Sequence, residues 1–232
     1  INGGRISIHG LDAGRRWSKM EPASAGASEI TLDEAVSWSA GQKIVITGNS
    51  WNQWERDVHE IESVSNGGRT LSLKGTLRFD HNGIRRSAGS SLLDTRAEVG
   101  LMSSNVVVAA GDADAQYHGL TMDHPQYTSQ DLALESPEGP HVCHQSQNSA
   151  FCKFGCQIVS VGSELQLQNV AVEHCGQAGV EKPSVSITNP KGSSYVLRSS
   201  LVYNMEGAIQ VKGSQGSAAV KLNGNFVHES LD

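Results

Sequence analysis

The four cysteines, Cys143, Cys152, Cys156 and Cys175, are the residues of this chain with the most chemistry to offer. Their even number suits a disulfide framework. With His144 beside Cys143 and His174 beside Cys175, the same group also offers zinc ligands. The spacing lacks the Cys-x-x-Cys knuckles of a structural zinc site, and free thiols are the third state open to it. Disulfides would place the chain outside the reducing cytosol. Asp112, Asp114, Asp123 and Asp131 could bind Ca²⁺ or work as paired carboxylates, but EF-hand spacing is missing and a solvated loop is the simpler reading. His118, His124, His141 and His144 are the densest histidine group. A metal there would need three imidazoles converging within a supporting shell. Trp51 and Trp54 could stack on sugar rings; packing beside a hairpin is the alternative. No cofactor is expected, with Ca²⁺ at the acidic group as the alternative.

The elements that would position these groups read as short strands. Arg5-Ile6-Ser7-Ile8-His9 alternates apolar and polar residues between glycine turns. Lys43–Thr47 is a strong strand, His59–Val64 alternates again, and Asn66-Gly67-Gly68 is a hairpin turn before Thr70–Leu73. Leu77-Arg78-Phe79 reads as one more short strand. Turns recur every 8–12 residues, which predicts a small β-sandwich or barrel-like module over residues 1–91. No window shows a sustained helical period.

The stretch from Leu92 to Val108 marks the change to a second architecture. Val106-Val107-Val108 is β-branched and too short for a helix. Beyond a polar insertion at about 111–150, one pattern recurs. Leu167-Gln168-Asn169-Val170-Ala171-Val172 is echoed by Leu197-Arg198-Ser199-Ser200-Leu201-Val202 and by Leu222-Asn223-Gly224-Asn225-Phe226-Val227. Such loose self-similarity predicts a right-handed parallel β-helix over residues 92–232. Each coil would bury one inward row of Val, Leu and Ile. Asn and Ser at the turns would satisfy backbone groups of neighbouring coils.

Composition narrows the function. The net charge of −6 argues against nucleic acid, whose phosphates need a basic surface. No apolar run approaches the roughly 20 residues that cross a bilayer. The chain starts at Ile1 with no secretory signal and is already strand-like, so it is expected to be part of a longer parent.

An ordered series of segments resembles a known family. The series is Gly3–Gly10, Trp17–Met20, Ile30–Leu32, Val36–Thr47 and Arg96–Val108, continued by Phe154–Val159, Cys175–Gln177 and Ser194–Val202. It resembles the ectodomain of the fibrocystin-L and cell-surface hyaluronidase superfamily, after its eight-glycine (G8) domain. The resemblance implies secreted or membrane-anchored multidomain proteins with a β-helix ectodomain. Some of these depolymerise hyaluronan and others have no known catalysis. Where enzyme-like members carry histidines, this chain has Gly155-Cys156-Gln157 and Lys182-Pro183-Ser184-Val185-Ser186-Ile187-Thr188. Serine, valine and threonine cannot shuttle protons or bind metal at neutral pH as imidazoles can.

The expectation is therefore a non-catalytic extracellular or cell-surface module of a larger protein. Its partners would be other domains of the parent chain and a glycan or protein ligand. The alternative is a polysaccharide depolymerase with acids from 111–150 or near Arg96, and a structural spacer is the third reading. The expected cystine pairs are Cys156 with Cys175 and Cys143 with Cys152.

Overall fold

A computed structural model describes residues 3–50, 52, 55–109, 156–176, 182–202, 207–213 and 219–228. The chain divides into two compact units, Ala13–Ser103 and a second made of Ile1–Asp12 with Ser104–Asp232. The expected boundary near residue 91 is thus corrected at both ends. Arg5–His9 (β1) pairs in parallel with Glu164–Gln168 and belongs to the coils. Glu98–Leu101, expected from the sequence among the coils, pairs antiparallel with strands of the first unit instead. Alternation shows which face of a strand is buried, but it does not name the partner strand.

The 13–103 unit is an antiparallel barrel. Its strands are β2 (Trp17–Lys19), β3 (Glu29–Thr31), β4 (Lys43–Ile46), β5 (Asp57–Ser65), β6 (Thr70–Leu73) and β9 (Glu98–Leu101), joined in the order β2-β9-β4-β5-β6-β3. The two ends of that order meet. Met20 bridges Leu32, Glu21 N–H donates to Thr31 O at 2.8 Å, and Asp33 N–H donates to Lys19 O at 2.8 Å. A register shift between Ile61 and Ser63 lets the long strand β5 bend and serve both halves. Met20, Ile30, Leu32, Trp38, Ile44, Ile46, Ile61, Leu71, Val99 and Leu101 fill the interior. The turn before β6 needs glycine: Gly68 has φ +90°, and a Cβ there would strike the Val36 carbonyl. A separate hairpin, β7 (Arg85–Ala88) with β8 (Ser91–Asp94), completes the unit. Leu77-Arg78-Phe79 is not a strand; the amides of Arg78 and Phe79 donate to the Asp57 carboxylate instead.

The second unit is a parallel β-helix. Its remaining strands are β10 (Val106–Ala109), β11 (Ile158–Val161), β12 (Glu164–Gln168), β13 (Val170–Glu173), β14 (Val185–Thr188), β15 (Tyr195–Leu197), β16 (Ser200–Val202), β17 (Ile209–Lys212), β18 (Lys221–Asn223) and β19 (Phe226–His228). They stack into three parallel sheets, β1-β12-β15-β18, β10-β13-β16-β19 and β11-β14-β17. Register aligns the inward rows. Ile8, Leu167, Val196 and Leu222 form one, and Val108, Val172, Leu201 and Val227 another. Each fully buried aliphatic in such a row contributes about 1.5–3 kcal/mol, which is how strands of three or four residues hold a stack together.

The corners explain the recurring Asn and Ser. Asn169 (φ 56°), Arg198 (φ 48°) and Gly224 (φ 64°) turn the chain between the first and second sheets in the left-handed region. Asn169 Nδ2 donates to Gly10 O at 3.3 Å, and Ser199 Oγ accepts from Val170 N–H at 3.2 Å. Asn225 accepts from Ser199 N–H at 3.0 Å and donates to Val196 O at 2.8 Å. The side chain of each corner satisfies backbone of the coil beside it. In the first coil this corner is interrupted, because the whole 13–103 unit lies in the chain between β1 and β10.

Candidate functional site

The alternation that buries Ile6 and Ile8 turns Arg5, Ser7 and His9 outward, and parallel register sets them beside the outward residues of the next strands. One outer row runs Ser7, Gln166, Tyr195, Lys221; the next runs His9, Gln168, Leu197, Asn223. The row centres on Gln166, which is only 4% exposed although it points away from the core. Its Oε1 accepts from Arg5 Nη2 at 2.6 Å, Ser7 Oγ at 2.9 Å and Tyr195 Oη at 3.3 Å. Its Nε2 donates to Glu164 Oε1 at 2.7 Å and Ser193 O at 3.2 Å. A saturated, buried amide of this kind cannot swing out to a ligand. It locks the exposed groups around it.

Those exposed groups are Arg5, Ser7, His9 and, partly, Tyr195. His9 Nε2 lies 3.1 Å from Ser7 Oγ and 3.1 Å from Tyr195 Oη. The His9 and Tyr195 rings are 6.2 Å apart and tilted by 31°, a shallow aromatic platform. Arg5 Nε sits 3.9 Å from Glu164, so its charge is largely balanced. Lys221, at the end of the row, is exposed and has no ion-pair partner among the described residues. Both hydroxyls converge on the same imidazole nitrogen, which is the arrangement of a hydrogen-bonding surface.

The groups singled out from sequence fall differently. Trp51, Trp54, Asp112, Asp114, Asp123, Asp131, Cys143, Cys152, His118, His124, His141 and His144 lie outside the described residues. Cys156 and Cys175 are joined by a disulfide, with Cα atoms 4.3 Å apart on adjacent coils. Glu98, near Arg96 in sequence, pairs with Lys19 at 3.1 Å. Arg96, only 4% exposed, instead binds Asp94 at 2.8 Å, Glu21 at 2.6 Å and Asp33 at 3.0 Å. The Arg96 hydrogen bond lowers the Asp94 carboxyl to about 2 and also lowers Asp33. That group is a strut of the barrel, because its one cation already satisfies three carboxylates. Among the described residues no cluster of His, Cys, Asp and Glu could hold a metal ion.

Sequence reasoning missed Asp57, a carboxylate that several donors of the barrel unit surround. It is fully buried and accepts from the amides of Arg78 and Phe79, from Arg78 Nε at 3.1 Å and from His81 Nε2 at 3.1 Å. His59 Nε2 lies 3.7 Å away. Burial pushes this carboxyl up, but the neighbouring His59 and the bonds from His81 and Arg78 outweigh it and hold the group well below the usual carboxylate range. The cluster pins the 77–81 segment against β5.

No family model matches the chain. Fibrocystin-L of Mus musculus is 34% identical over 116 residues, 48% of this chain. Fibrocystin of Canis lupus familiaris aligns over 226 residues, 97% of this chain, at 23% identity. The chain is a homologue of the fibrocystins. A G8 domain-containing protein of Dictyostelium discoideum is a further relative, 27% identical over 108 residues and 46% of this chain. This fibrocystin-like chain spans only 3% of the length of fibrocystin-L, 5% of fibrocystin and 7% of the Dictyostelium protein. Among solved structures, the tailspike protein gp49 from Pseudomonas phage LKA1 covers 96% of the fibrocystin-like chain at 12% identity, with a TM-score of 0.30, too low to bear on function. Among the described residues no helix is long and apolar enough to cross a membrane.

Proposed function

We propose that this chain is a non-catalytic, extracellular glycan-binding module within a much longer fibrocystin-like protein. The observation that carries the reading is the outer face of β1, β12 and β15, where buried Gln166 fixes Arg5, Ser7, Glu164 and Tyr195 in one hydrogen-bonded set. A surface that is already ordered loses little side-chain entropy when it meets a hydroxyl-rich ligand. The disulfide between Cys156 and Cys175 and the relatives' great length support an extracellular, multidomain setting.

Depolymerisation would need an acid and a base flanking the scissile bond. On this face Glu164 is held by Gln166 and Arg5, which favours binding over cleavage. The test is a glycan array probed with the purified protein, followed by incubation of the best binders and of hyaluronan with and without Ca²⁺. The expected result is binding with unchanged chain length. Shortening of any polymer would refute the non-catalytic reading, and an array without a binder would refute the glycan reading.

A further inference from the structure

The polar row has a direction, and the ligand geometry it implies rests on the glycan-binding proposal. Ser7, Gln166, Tyr195 and Lys221 are register partners on four successive strands, so the row runs along the stack and across the strands. Neighbouring strands are about 4.8 Å apart, which makes the row about 14 Å long. Its polar character changes along that length. At one end stand Arg5 and Ser7, locked by Gln166, with His9 Nε2 against the Ser7 hydroxyl. In the middle is the half-buried Tyr195 ring, in tilted contact with His9. At the far end is the Lys221 ammonium, which no carboxylate among the described residues neutralises. The parallel row from His9 through Gln168 and Leu197 to Asn223 offers further polar ends with one apolar step.

From this we infer that the site takes a linear oligosaccharide laid parallel to the coil stack, its successive sugars engaging Ser7 and His9, then Tyr195, then Lys221. A single sugar could reach only one end of such a row. A chain whose residues advance by a length near the strand spacing could meet every step in turn. Each added sugar would gain one or two net hydrogen bonds until the row is spanned, after which further residues extend into solvent. Lys221 would then act only on ligands long enough to reach it, donating to a hydroxyl or carboxylate.

The experiment is titration calorimetry of the full 232-residue chain with size-graded cello-, chito- and hyaluronan oligosaccharides of two to eight residues. For the class that binds, affinity should rise about tenfold from disaccharide to tetrasaccharide and then level off. Lys221→Met should return the tetrasaccharide to disaccharide affinity and leave the disaccharide unchanged. Tyr195→Phe should weaken both. Lys212→Met, on the exposed face of a different sheet, should change neither. Equal affinity at every length, or a Lys221→Met loss that is the same for short and long ligands, would overturn the axial placement while leaving glycan binding intact. Absence of binding by every class would overturn the placement and the reading beneath it.

Discussion

Replacing Asp57 with asparagine separates a buried electrostatic anchor from ordinary packing. Asp57→Asn keeps the size of the side chain but puts an amide where the amides of Arg78 and Phe79, Arg78 Nε and His81 Nε2 all donate. One acceptor oxygen would remain, and the new Nδ2 would face donors. Breaking a buried, hydrogen-bonded ion pair by removing one partner costs about 3–5 kcal/mol; the Arg78 side chain is 37% exposed, so the lower end applies. For a unit of this size each kcal/mol moves the midpoint by roughly 4–8 °C, so the barrel transition should fall by roughly 12 °C or more. The pH dependence has a definite sign. The Asp57 carboxyl is depressed in the folded state, so it contributes in full above the ordinary aspartate value of about 3.9 and that contribution fades as pH falls toward the folded value. Thermal denaturation of both proteins at pH 7 and at pH 3 should therefore show a wide gap that narrows in acid. A loss under 1 kcal/mol at pH 7, or a gap of the same width at pH 3, would refute the role assigned to the carboxylate.

Two further substitutions probe the coils. Ser160 points inward in register with Ile187, and its fully buried hydroxyl has no hydrogen-bond partner, so Ser160→Ala should stabilise the coil unit by about 1 kcal/mol; a destabilisation seen by chemical denaturation would mean the hydroxyl is satisfied. A Cβ on Gly10 would run into the Asn169 carbonyl, so Gly10→Ala should loosen the interrupted corner. Hydrogen exchange should then accelerate in β1 and β12 and not in β4 or β5, and uniform exchange would contradict the clash.

The coils were legible because their signal is local. Three copies of a leucine, a polar corner and an apolar run, with Asn169, Ser199 and Asn225 at the corners, carry both the inward row and the side chains that satisfy its backbone. The barrel was legible from its turns and alternating strands. Its closure was not, since Met20 and Leu32 meet only when the sheet curls. Arg5-Ile6-Ser7-Ile8-His9 looked like one more hairpin strand, because parallel and antiparallel partners impose the same alternation. The candidate site was invisible for a related reason. Arg5 and Gln166 are 161 residues apart, and only the register of β1 on β12 brings them together. The parity of the two strands was the available clue: the polar positions of Arg5–His9 and of Glu164–Gln168 each occupy one face. Asp57 gave no such clue, since an acid at the start of a strand ordinarily marks an exposed end.

The most direct measurement is a crystal structure of this chain with the tightest-binding oligosaccharide from the array. The account predicts intact sugar density over Ser7, His9 and Tyr195, running toward Lys221, with the Gln166 hydrogen bonds unchanged. Sugar seated on another face of the coils or on the barrel, or a cleaved product in the site, would contradict it.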